Sequence, residues 1–109
     1  MAKGCRLLVI TRMPTHHNNG AQSSAVARRE ILRQVRDSFG GYTLEGPFQG
    51  AWVADDGTVY EETSYRLEVL IEPGQLQVAR ALVISIGKQL GQRAMYFEVR
   101  AGGEIIDLA

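Results

Sequence analysis

Trp52, Tyr60, Glu61, Glu62 and Tyr65 fall in one short stretch of the chain. An indole beside a carboxylate is a wall against which a small molecule can pack. A carboxylate kept from water by that indole has a raised pKa and can act as a general acid or base. Glu61 and Glu62 are the candidates for that role, and Trp52, Tyr60 and Tyr65 for the pocket wall. A two-residue turn at Asp56-Gly57 places Trp52 opposite Glu61. Adjacent strand residues point to opposite faces, so only one of the two glutamates can share a pocket with Trp52. The plainer alternative is an indole packed over the end of a sheet beside two solvated glutamates. The spacing identifies no partner base, nucleophile or oxyanion donor.

Tyr96, Glu98 and Arg100 alternate along a second segment and form another ligand-binding set. Arg100 beside Glu98 lowers the carboxyl pKa and favours a salt bridge over proton transfer. Glu61 or Glu62 is therefore preferred as any general base. Arg29, Arg33 and Arg36 recur at i, i+4, i+7, a basic stripe able to meet phosphate or an acidic partner. Glu30 and Asp37 partly offset it. His16 and His17 are neighbours in a polar loop, where two rings seldom point at one ion, and no metal site or cofactor is expected. Gly-rich phosphate loops, Gly-x-Ser-x-Gly, His-Glu-x-x-His and Cys-x-x-Cys are absent.

The elements that position these residues follow from periodicity. Arg6–Ile10 is apolar on both faces, as a central strand is, and breaks at Met13-Pro14. After Ser23 or Ser24 as N-cap, Ala27, Ile31, Val35 and Phe39 recur every four residues, with Val26 and Leu32 beside them. Gly40-Gly41 ends that helix. Tyr42–Ile71 reads as a long hairpin turning at Asp55-Asp56-Gly57, and the polar run Glu61-Glu62-Thr63-Ser64 predicts a bulge or exposed edge in its second arm. Leu76, Ala79, Val83, Ile86 and Leu90 mark a second helix over Gln75–Leu90. Met95–Arg100 is the last strand of the pattern, and Glu104–Leu108 reads as a short added strand after Gly102-Gly103.

The order β-α-β-β-α-β is the split βαβ pattern of a ferredoxin-like, two-layer α+β sandwich. Its helices cover one sheet face only, and the other must meet water, a ligand or another subunit. If Leu67, Val69 and Ile71 face the helices, then Arg66, Glu68 and Leu70 face away, with Tyr96, Glu98, Arg100 and Trp52. Such a mixed apolar and charged face favours self-association. The 109 residues read as one domain, 1–109, with 45% hydrophobic and 22% charged residues. Twelve basic side chains equal twelve acidic ones, which argues against a protein held on nucleic acid by its overall field. The single Cys5 rules out an intrachain disulfide and, at the start of an apolar strand, reads as a small buried residue. The start Met1-Ala2-Lys3-Gly4 lacks the apolar segment of a signal peptide, no membrane-spanning stretch is present, and the expected location is cytoplasmic.

Gly41-Tyr42-Thr43, Gly50-Ala51-Trp52 and Asp56-Gly57-Thr58-Val59-Tyr60-Glu61-Glu62-Thr63-Ser64 resemble the hairpin of a group of short uncharacterised bacterial proteins. Leu90 to Val99 resembles their last helix and strand. The resemblance spans residue 40 onward and implies a two-layer sandwich, in several cases on mobile DNA, with no catalytic residues attached. Three functions remain in view. The leading one is a self-associating binding or interaction module with its site near the Trp52 hairpin. The others are a cofactor-independent acid/base enzyme of the dimeric α/β-barrel kind and an accessory protein docking an acidic partner or nucleic acid through the arginines.

Overall fold

A computed structural model describes residues 5–109; residues 1–4, on which the lack of a leader was read, lie outside the described residues. The centre of the sheet is β1 (Arg6–Pro14), which pairs antiparallel on both sides. Its odd residues Val9, Thr11 and Met13 are buried toward the helices, and Ile10 is buried on the other face. An apolar side chain on each face is what a central strand requires. The strand runs four residues past Ile10 because Pro14 is its last residue, where the missing N–H costs nothing to the ladder.

The helix α1 (Ala25–Phe39) starts at Ser24, whose Oγ accepts from the Ala27 amide at 2.9 Å. It ends at Gly40, whose φ of 89° suits glycine and whose N–H reaches Arg36 O at 2.7 Å. Ile31 and Val35 are fully buried, whereas Val26 is 70% exposed and stands off the stripe. The arms β2 (Thr43–Val53) and β3 (Val59–Ile71) form the hairpin. A single 3-10 turn at Pro73–Gln75 leads into α2 (Leu76–Gln89), with the Gln75 side chain accepting from the Glu72 amide at 3.0 Å. The last strand is β4 (Phe97–Gly103).

The strand order β2-β3-β1-β4, with every neighbouring pair antiparallel, is that of the ferredoxin-like α+β sandwich. Val9, Met13, Leu67, Val69 and Ile71 from the sheet meet Ile31, Val35, Ala79, Ile86 and Leu90 from the helix layer. No helix among the described residues is long and apolar enough to cross a membrane.

Four local expectations are corrected. The added strand Glu104–Leu108 does not form: residues 104–109 carry no regular structure, and Ile105, Ile106 and Leu108 are exposed. Of the bulge or exposed edge expected at Glu61–Ser64, the edge is present and the bulge is not: Glu61–Thr63 lie past the Pro14–Ser64 pair that ends β1, β3 runs unbroken, and the bulge is in β2, where Gly46 and Pro47 oppose Tyr65 alone. Polar residues are tolerated in β3 because they occupy the end of the hairpin beyond the helices. The last strand starts two residues later than Met95, because Thr11 Oγ1 donates to Tyr96 O at 2.6 Å before the ladder begins. Cys5 is exposed rather than buried.

Gly87 lies in the buried side of α2, and a Cβ there would sit 2.5 Å from Met95 Cγ. Alanine is favoured over glycine in a helix interior by about 1 kcal/mol. Gly87→Ala is nevertheless expected to lose about 1–2 kcal/mol in urea unfolding, because overpacking outweighs propensity. Adding Met95→Ala removes the clash, so the double variant should be more stable than Met95→Ala alone.

Candidate functional site

The site is built by two departures from regular pairing in the hairpin. Before the β2 bulge, Leu44 pairs with Leu67 and Glu45 with Arg66; after it, Phe48 pairs with Ser64. The extra residue reverses which face even-numbered side chains occupy. Leu44 packs on the core, while Phe48 and Trp52 stand on the open face. At the tip, Ala54 donates to Thr58 O at 2.9 Å, leaving Asp55, Asp56 and Gly57 as a three-residue loop. Gly57, at φ 84°, takes the left-handed position such a loop demands. Asp56 Oδ1 accepts from the Thr58 amide at 3.0 Å.

That third loop residue shifts the expected register by one. Trp52 lies opposite Tyr60, not Glu61. The two rings stack at 4.7 Å between centroids and 19° between planes. Trp52 Nε1 donates to Glu62 Oε1 at 3.0 Å. Of the two glutamates it is therefore Glu62 that shares the indole's face, and Glu61 is exposed on the opposite one. Tyr65, grouped with the ligand candidates from the sequence, is instead on the helix side and packs against the core.

Tyr96, Glu98 and Arg100 stand on the open face with Trp52 and line the same open cavity of about 630 Å³. The Tyr96 hydroxyl donates to Glu98 Oε1 at 2.6 Å, and Arg100 Nε donates to Oε2 at 2.5 Å. The Tyr96 hydrogen bond first, then the hydrogen bond and charge of Arg100, hold the Glu98 carboxyl below its ordinary range, while the phenol of Tyr96 is pushed up by the same carboxylate. A carboxylate with both oxygens engaged is poorly placed to accept a substrate proton. Ile10 forms the floor, and Arg12, Phe48, Ser64 and Arg66 continue the wall. Arg12, Phe48 and Arg66 were not among the sequence candidates; the alternation of β1 and β3 marks Arg12 and Arg66, but Phe48 needs the bulge.

A second cavity of about 760 Å³ lies across the hairpin, between its outer rungs and the loop carrying His16, His17 and Asn18. Glu62 borders both cavities, and Glu61 only this one. The loop is held by the segment after α2: Asn18 N donates to Gly91 O at 3.1 Å and Gln92 Nε2 to His16 O at 2.8 Å. Arg93 Nη1 then reaches the hairpin tip, at 3.1 Å from Asp56 Oδ2 and 3.3 Å from Tyr60 Oη. His16 and His17 belong to no cluster of three or more metal-ligating side chains among the described residues.

The arginine stripe lies apart from both cavities, on exposed α1. Arg33 pairs with Glu30 and, at 2.8 Å, with Asp37; Arg36 meets Asp37 at 3.2 Å. Arg29 is exposed without an ion pair among the described residues. The stripe thus presents mostly compensated charge.

Neither a family model nor a curated protein sequence matches the chain. Solved structures show that its fold is a known one. A phage SAM lyase, solved in complex with S-methyl-5'-thioadenosine, is similar at 12% identity over 98% of this chain and 88% of its own, with a TM-score of 0.68. The divalent ion tolerance protein CutA1 from Ehrlichia chaffeensis is similar at 11% identity over 97% and 89%, TM-score 0.65. CutA from Synechococcus elongatus is similar at 14% over 94% and 81%, TM-score 0.60. These likenesses establish the small ferredoxin-like fold; no family match accompanies the resemblance of the hairpin to short bacterial proteins.

The Asp56 carboxyl is held at about 2, first by Thr58 and then by Arg93. A depressed carboxyl stabilises the fold above its unfolded value, and that stabilisation disappears as pH falls through the folded value. Melting temperature should therefore fall between pH 4 and pH 2, and Asp56→Asn should fall less over the same window. Equal losses in the two proteins would mean that the Asp56 carboxylate does not hold the tip.

Proposed function

We propose that the chain is a small binding module that takes an organic ligand on the open face of its sheet, against Trp52, and that it self-associates. The observation that carries this reading is the open-face cavity: an indole backed by Tyr60, with Phe48, Tyr96 and several charged groups around an apolar floor at Ile10. Its volume lies in the range of small-molecule sites, and a few polar groups in an apolar frame are what such sites use for orientation. Trp52, Tyr96, Glu98 and Arg100 belong to this reading as ligand-facing groups; Tyr60 backs the indole and Glu62 orients it. The resemblance of the hairpin to short bacterial proteins of mobile DNA fits an accessory, cytoplasmic role. The exposed Ile105, Ile106 and Leu108 are the surface on which a second copy packs.

The acid/base enzyme is the lesser reading. It would rest on Glu62, the one glutamate that borders both cavities and touches an indole, and no base or nucleophile stands beside it among the described hydrogen bonds. The arginine stripe gives the accessory-docking reading little support, since Glu30 and Asp37 already occupy Arg33.

Trp52 is the single tryptophan, so its emission reports on this site alone. S-methyl-5'-thioadenosine, the molecule bound by the phage lyase, and other aromatic metabolites are expected to change that emission saturably. Trp52→Phe should keep the fold, lose about 1 kcal/mol with the Glu62 hydrogen bond, and bind less. If the variant binds every such compound as the parent does, or none binds the parent, the ligand site is elsewhere. Sedimentation at micromolar concentration should show more than the 12.0 kDa monomer, as an interface of about 1,600 Å² would produce. A clean monomer would remove the self-association.

A further inference from the structure

The charged groups of the open face are nearly all spoken for. Arg100 is paired with Glu98 at 2.5 Å. Glu62 is engaged by the indole N–H of Trp52. Arg66 Nε lies 3.5 Å from Glu68 Oε1, an ion pair too long to count as a hydrogen bond, and that buried nitrogen has no hydrogen-bond partner. Arg12 differs from all of these: its guanidinium makes no ion pair and no side-chain hydrogen bond among the described residues. It stands over the Phe48 ring, 5.7 Å from the centroid. Arg12 also sits directly opposite Arg66 in the β1–β3 register. Like charges facing each other across a ladder are destabilising.

Two arginines facing each other, one without any partner and one with an unsatisfied Nε, are completed by an anion placed between them. Both line the cavity that Trp52 walls. The cation–π contact with Phe48 uses none of the N–H donors of Arg12, which leaves them free for a forked contact. Ser64 lies between Phe48 and Pro14 in the pairing and adds a hydroxyl to the same wall. On this basis we propose that Arg12 and Arg66 form an oxyanion subsite, and that the ligand of the open face is a small aromatic molecule bearing a carboxylate or phosphate. Its ring lies toward Phe48 and Trp52, and its charge between the two guanidinium groups. The proposal rests on the open-face ligand site proposed above and names the ligand class of that site.

The test uses probes of one shape and different charge: benzoate, phenyl phosphate, neutral benzamide and cationic benzamidine, titrated into the 15N-labelled protein. Binding is read from the Trp52 indole and from the amides of Arg12, Phe48 and Ser64. Benzoate or phenyl phosphate is expected to bind about tenfold more tightly than benzamide, the effect of one charge-assisted hydrogen bond. The better of the two anions tells carboxylate from phosphate. Arg12→Gln should abolish the preference for the anion and leave benzamide binding in place. Arg12→Lys, which keeps the charge without the fork, should retain part of it and guards against misfolding of the first variant. Arg80→Gln, which removes an exposed charge of α2 outside this cavity, should leave the preference intact. Equal binding of all four probes at Trp52 overturns the oxyanion subsite while leaving the open-face site standing. Preference for benzamidine overturns it too, with the glutamates as the recognising groups. An anion preference lost equally in Arg12→Gln and Arg80→Gln reduces it to a diffuse field. Failure of every probe to move the open face overturns this proposal and the open-face ligand site together.

Discussion

The pairing of β2 with β3 is the constraint on which the rest of the surface depends. A strand repeats every two residues, so one residue gained or lost exchanges its whole set of side chains between faces. The hairpin gains one at Gly46-Pro47 and another in its loop at Asp55–Gly57. The first lets Leu44 join the core while Phe48 and Trp52 face away from it. The second puts Tyr60 beside Trp52 and brings Glu62 onto the same side. Neither affects the β1–β3 ladder, where Leu67, Val69 and Ile71 keep their alternation and the core closes over them.

Charge on the open face is arranged in short local links. Glu98 is gripped by Tyr96 and Arg100, residues on its own side of the chain two positions away. Glu68 faces Arg66 in the same way along β3. Such links leave little net attraction between strands, so the sheet is held by its ladder and its helix-side packing rather than by ion pairs. Exposed pairs of this kind contribute little to stability. Their effect here is to pair Glu98 and Glu68 with arginines and leave Arg12 without an ionic partner among the described residues.

The architecture was readable from periodicity because it is set by apolar residues with strong spacing. Ile31, Val35, Val83, Ile86 and Leu90 were placed on their helices by the stripe alone, and each is buried. The candidate site was harder, because its geometry depends on counts of one residue. Asp56-Gly57 signals a tight hairpin, but nothing local distinguishes two loop residues from three except the capacity of Asp56 to accept the Thr58 amide. The Gly46-Pro47 bulge is marked by the proline, which belongs on an edge strand; the polar run at Glu61–Ser64 drew attention to the wrong arm. Ile105, Ile106 and Leu108 have the composition of a strand, yet residues 104–109 pair with neither edge of the sheet. Arg12 lies past Ile10, where the sequence pattern ends the strand, so only the longer β1 of the structure extends the alternation to it.

Beyond Thr63, whose carbonyl still accepts from the Thr15 amide at 3.0 Å, the hairpin has no third strand beside it. The rungs from Gly50–Glu62 to Val53–Val59 rest on one another, on the Trp52–Tyr60 stack and on Arg93. A two-stranded ribbon is marginal by itself, so this end opens at a lower free energy than the core and exchanges its amide hydrogens sooner. Mutations accumulating there over evolutionary time meet a weak folding constraint. The same sandwich can therefore drift toward new ligands through its ribbon while β1, β3 and the two helices stay unchanged.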